Sequence, residues 1–162
     1  MKLGKKIAWA LLIIFLAMQL YRPDKNTSPD TDHLMLFLTE TNPPEEVKAI
    51  LKTSCFDCHS NQTRYPWYNN IAPVSWWLDG HIEEGKEHFN VSDWANYSGK
   101  KKDHKLEEVI ETVEEGEMPL DSYTWTHEEA RLTDTQREAV MAWAQQARTL
   151  YESVSYTHLT LP

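Results

Sequence analysis

The chain has 162 residues, of which 25% are charged, a mean hydropathy of −0.60 and a formal net charge of −9. That length suits one domain, and a small domain gains from any bound group that adds buried contact. Three of the 16 Lys and Arg (Lys2, Lys5 and Lys6) precede an apolar run, so the rest of the chain sets 13 cations against 25 carboxylates. So acidic a body lacks the basic footprint of a nucleic-acid binder and favours a basic protein partner.

Residues 1–21 read as a membrane segment. Ile7 to Leu20 carries no charge and follows the three lysines. As helix, those residues span about 21 Å, short of a hydrocarbon core of about 30 Å. Counting from Leu3 to Tyr21, with Lys5 and Lys6 snorkelling, gives enough length. No small-x-small cleavage site precedes Arg22. An uncleaved single-pass anchor is therefore expected over a removed signal peptide, with the body at the periplasmic face of a bacterial inner membrane. Residues 22–33, with Pro23, Asn26, Thr27, Ser28 and Pro29, read as a linker.

The body, residues 34–152, shows four helical stretches and no useful strand pattern. The first starts near Asn42 with Pro43, Pro44, Glu45 and Glu46, and Val47, Ile50 and Leu51 form its apolar face. The second follows Pro73, with Val74, Trp77, Leu78 and Ile82 at helical spacing; Gly80 and Gly85 argue against its full length. The third covers Asp103 to Glu115, stops at Gly116, and is preceded by Lys100-Lys101-Lys102, read as a solvated loop or a partner contact. The fourth opens with a capping box, Thr133 and Gln136, and carries Val140, Trp143, Ala144 and Ala147. Residues 153–162 lack helical periodicity and read as a non-biological tail, so His158 is not counted as a ligand.

The chemistry is concentrated in Cys55-Phe56-Asp57-Cys58-His59, which contains both cysteines of the chain. This is the c-type haem attachment pattern. Two thiols on one side of a helical turn reach two vinyl groups, and the next residue brings an imidazole to the iron. A thioredoxin-like pair would need a βαβ context, and a structural zinc site would need a second ligand pair; neither is present. A plain disulfide would leave His59 as coincidence.

The run from Cys55 through Thr63-Arg64-Tyr65-Pro66-Trp67-Tyr68, with Ile71-Ala72-Pro73-Val74-Ser75-Trp76-Trp77-Leu78 and Gly116-Glu117-Met118-Pro119-Leu120, resembles the bacterial haem-binding domain family. The resemblance covers about Leu34 to Glu152. It implies an all-α, class I cytochrome c-like domain around one covalent haem c, with N- and C-terminal helices packed across each other. It also implies electron transfer.

His59 is the expected proximal iron ligand and Met118 the expected sixth ligand, because Pro119 stiffens the loop that would hold its thioether. The alternative for Met118 is core packing. His81, on the inward face of the second helix, is the competing ligand. Arg64 is a candidate to pair with a haem propionate, and Trp67 and Trp76 are candidates to line the haem and donate an indole N–H. Surface exposure or plain core packing are the alternatives for these three. Asp57 and the surface carboxylates would steer docking to a redox partner with a basic surface, such as a membrane oxidoreductase. The expected role is an electron carrier. The alternative is a haem enzyme or sensor, a peroxidase or gas binder with an open sixth site and His81 as distal group.

Overall fold

A computed structural model describes residues 3–29 and 32–157, with side chains except at Asp32 and 152–157. Among the described residues eight α-helices follow in order: α1 Leu3–Met18, α2 Asp32–Thr41, α3 Glu45–Ser54, α4 Phe56–His59, α5 Val74–His88, α6 Gly99–Glu114, α7 Asp121–Thr124 and α8 Asp134–Thr157. Three 3-10 turns, Trp67–Asn70, Val91–Asn96 and Glu128–Ala130, join them. The all-helical class read from the sequence holds.

The expected transmembrane anchor does not. Among the described residues no helix is long and apolar enough to cross a membrane. Helix α1 has 16 residues, a rise of about 24 Å, and its first turns include Lys5 and Lys6. It stops at Met18 because Gln19 turns back to the body. The Gln19 side chain accepts from the Ala72 N–H at 2.9 Å and donates to the Ala72 carbonyl at 3.1 Å. The expected single-pass inner-membrane location therefore has no spanning helix among the described residues.

Within the segment read as a linker, Asn26 and Thr27 are fastened to the loop after α4. Asn26 donates to the Ser60 carbonyl at 2.7 Å and to Thr63 Oγ1 at 2.9 Å, and Thr27 forms an isolated antiparallel bridge with Gln62. Asn side chains of this kind substitute for the backbone partners that a loop lacks.

Helix α2 was not legible in the sequence, yet it carries a centre of the core. Phe37 is 1% exposed and meets Phe56, Phe89, Trp94 and Trp143 edge to face, with centroids 5.0–6.3 Å apart. Thr133 and Gln136 make the expected capping box: the Gln136 N–H donates to Thr133 Oγ1 at 3.3 Å and the Thr133 N–H to Gln136 Oε1 at 2.9 Å. Helix α8 packs chiefly on α6 and also on α3. Arg148 bridges α8 to Asp103 and Glu107 of α6 at 2.8 and 3.0 Å.

Lys100 to Lys102 belong to the first turn of α6 rather than to a loop, because Ser98 caps the helix by accepting from the Lys101 N–H. Lys102 is not a free surface charge: it contacts both oxygens of Glu40, at 2.7 and 2.9 Å, over the Trp94 and Tyr151 rings. Helix α8 continues to Thr157, into the segment read as a tail; residues 158–162, with His158, lie outside the described residues.

Candidate functional site

Helix α3 breaks at Cys55, whose backbone leaves helical geometry at φ −124° and ψ −47°, and restarts as the single turn α4. Within that turn the N–H groups of Cys58 and His59 both donate to the Cys55 carbonyl, at 3.2 and 3.0 Å. Residues three apart on a helical turn share a face. Cys55, Cys58 and His59 accordingly front on one cavity of about 490 Å³. Its inner walls are apolar, from Phe37, Leu51, Phe56, Val113, Val140 and Trp143. Both cysteines are free thiols. Burial pushes the Cys55 thiol up to about 12, with Cys58 adding to it, and burial pushes the Cys58 thiol up to about 11, with Asp57 adding to it.

His59 Nδ1 lies 2.9 Å from the Phe89 carbonyl oxygen. A carbonyl only accepts, so Nδ1 carries the proton and Nε2 keeps its lone pair for a metal. Burial lowers the His59 pKa against the opposing pull of the Phe89 and Gly85 carbonyls, with His88 lowering it further. A neutral imidazole is the form that ligates.

Helix α5 packs on α4. Gly85 makes this approach possible: a Cβ there would lie 2.9 Å from the Cys58 carbonyl oxygen and 3.0 Å from the Cys58 Cβ. The sequence presents Gly85 only as a weakness in the helix, since nothing local reveals how near a second backbone passes.

Met118 lines the same cavity, half-buried, with its N–H donated to the Thr112 carbonyl at 3.0 Å. His81 also lines it, from α5, with Nδ1 3.0 Å from the Trp77 carbonyl oxygen. The structure thus brings Cys55, Cys58, His59, Met118 and His81 to one cavity.

Arg64, Trp67 and Trp76 are elsewhere. Arg64 is turned to Asp57, with Nε on Oδ1 and Nη2 on Oδ2, both at 3.0 Å. Trp67 is 77% exposed, and Trp76 gives its indole N–H to the Tyr21 carbonyl at 3.1 Å. Asp57, expected as a surface charge for docking, is only 6% exposed and is held by Arg64 and Tyr123.

Sequence reasoning missed two residues that line the cavity. Trp143 is the tryptophan on the cavity, its N–H given to the Thr41 carbonyl at 3.0 Å, and Lys105 is the one Lys or Arg among the lining residues. Both sit on the inward face of α6 or α8; the helical stripe of Trp143 was legible, but its role as a cavity wall was not.

Two free thiols and a proton-locked histidine face an apolar cavity within the size range of cofactor sites, about 300–1,000 Å³. The residues present suit a porphyrin whose iron takes a nitrogen ligand. No curated protein and no solved structure matches the chain. The family model described as haem-binding domain matches residues 13–146, most of the chain. With that match spanning α4, the cavity walls and Met118, the chain belongs to the haem-binding domain family.

Proposed function

We propose that the protein is a single-haem c-type cytochrome acting in electron transfer. The observation that carries this reading is the convergence of Cys55, Cys58, His59 and Met118 on one apolar cavity. Each thiol would add across a vinyl double bond, sulfur to one carbon and its proton to the other, with no net change in oxidation state. His59 would give Nε2 to the iron while Phe89 holds its other nitrogen. A bound haem supplies the one-electron ferric–ferrous couple.

Met118 is the proposed sixth ligand. His59 and His81 come from the packed pair α4–α5, whereas Met118 follows α6, which packs on α8. Met118 therefore approaches the cavity from a different unit than His59. Filled axial positions leave little to rearrange on each transfer. Lys105, with its Nζ 2.6 Å from Glu108 Oε2 and two further donors to use, is proposed for a propionate in place of Arg64. The acidic body, at −9 overall, suits a redox partner with a basic surface.

The test is expression of the full chain with a cytochrome c maturation system, followed by acid–acetone extraction and visible spectra in both oxidation states. Haem should stay with the protein, and a far-red Met–iron charge-transfer band should vanish in Met118→Ala. Haem that extracts, or never binds, ends the c-type reading.

A further inference from the structure

Asp57 lies between the two cysteines, and its burial makes it a demanding carboxylate. A buried carboxylate is tolerated only when donors surround it. Asp57 Oδ1 accepts from the Arg64 N–H and Nε, both at 3.0 Å, and Oδ2 accepts from Arg64 Nη2 at 3.0 Å. Those donors are local, seven residues along the same loop. The remaining donor is not: the Tyr123 hydroxyl, from α7, reaches Oδ2 at 2.7 Å.

Tyr123 lies five residues after Met118 and lines the same cavity. The connection between them is short and stiff. Pro119 is buried, and the Leu120 carbonyl accepts from the N–H groups of Tyr123 and Thr124, at 3.0 and 3.1 Å. The Tyr123 ring is stacked on His127, with centroids 4.2 Å apart and planes 14° apart. Holding Tyr123 therefore holds the loop that carries Met118. A four-residue helix such as α7 has little stability of its own, so its placement comes from these contacts.

We infer that the Tyr123–Asp57 hydrogen bond is a latch that ties the Met118 loop to the haem-attachment turn and so sets how firmly the Met118 sulfur meets the iron. Tyr123 is a positioning residue and does not itself touch the metal. The inference rests on Met118 being the sixth ligand, as proposed above.

The test uses ferric full-length protein and imidazole as the displacing ligand, with the far-red band as readout. Tyr123→Phe removes the hydroxyl and keeps the ring. It should leave covalent haem content unchanged, weaken the band, and tighten imidazole binding about tenfold, the scale of one lost hydrogen bond to a charged group. Tyr151→Phe is the control, because Tyr151 makes an equivalent 2.7 Å bond to a carboxylate, Glu40, away from the cavity. It should bind imidazole as the wild type does. In a double-mutant cycle, Asp57→Asn and Tyr123→Phe should be strongly non-additive. Unchanged imidazole affinity in Tyr123→Phe, an equal effect from Tyr151→Phe, or simple additivity each overturns the latch. A wild type without the band overturns the Met118 assignment and the latch together, whereas a wild type with the band and an unaltered Tyr123→Phe overturns the latch alone.

Discussion

The backbone carbonyl oxygen of Cys58 lies 2.9 Å from the point where a Cβ on Gly85 would stand. Helix propensity alone predicts that Gly85→Ala stabilises α5 by about 1 kcal/mol. The contact predicts the reverse, because the obstructing atom is backbone and cannot rotate away. Gly85→Ala should destabilise the protein by about 1–3 kcal/mol, the usual scale of overpacking, and should lower haem incorporation. Thermal unfolding and haem content per chain check this. A variant as stable as the parent would mean that α4 and α5 do not depend on this close approach.

Met118→Ala should abolish the far-red band while leaving the haem attached, since Cys55 and Cys58, not Met118, are proposed to hold it covalently. Met118→His should restore two axial ligands and lower the reduction potential relative to Met118, as nitrogen ligation does. Potentiometric titration of the three proteins decides the matter. If Met118→Ala and wild type have the same spectrum and potential, another group, His81 first, fills the position.

Lys105 is the one Lys or Arg on the cavity lining, and its side chain is only 14% exposed. A positive charge near the iron favours the reduced form, whose net charge is lower. Lys105→Met should lower the reduction potential by on the order of tens of millivolts, with the spectrum otherwise intact. Arg64→Met, whose side chain points to Asp57, should move it less. The opposite ranking would return the propionate contact to Arg64.

Glu40 links α2 to α6 and α8 through Lys102 and Tyr151. Burial would raise its carboxyl, but the bonds from Lys102 and Tyr151 and the charge of Lys102 hold it below its ordinary value of 4.5. A carboxylate with a lowered pKa stabilises the fold above its unfolded value and loses that contribution as pH falls through its folded one. The parent should therefore lose stability as pH drops below about 4.5, and Glu40→Gln should show a flatter acid limb. At neutral pH, Lys102→Met should cost about 1–3 kcal/mol. Denaturant unfolding across the acid range measures both; identical acid limbs would remove Glu40 as a source of the pH dependence.

Much of the site was legible because its chemistry is local. Two thiols and an imidazole within five residues can share one helical turn whatever the rest of the chain does. Met118 could be singled out because a Met-Pro pair after a helix stop is a local signal, and it does line the cavity. Arg64, Trp67 and Trp76 were misplaced for the converse reason: a side chain's type says what it can bind, but not which way it points. Arg64 turned to Asp57 because a buried carboxylate seven residues away outcompetes a more distant partner. Trp76 turned to Tyr21 because α1 ends early and folds back at Gln19.

The sequence by itself determined the all-helical class, the capping of α8, the acidic balance and the Cys55–Cys58–His59 spacing, since propensity, spacing and charge act over a turn or two of chain. Only the tertiary structure decided that α1 falls short of a membrane span, that Phe37 and Trp143 meet at the cavity, that Gly85 admits the Cys58 backbone, and that Tyr123 reaches Asp57. The last three are contacts between segments tens of residues apart, and they are set by how buried surfaces fit together rather than by any run of neighbouring residues.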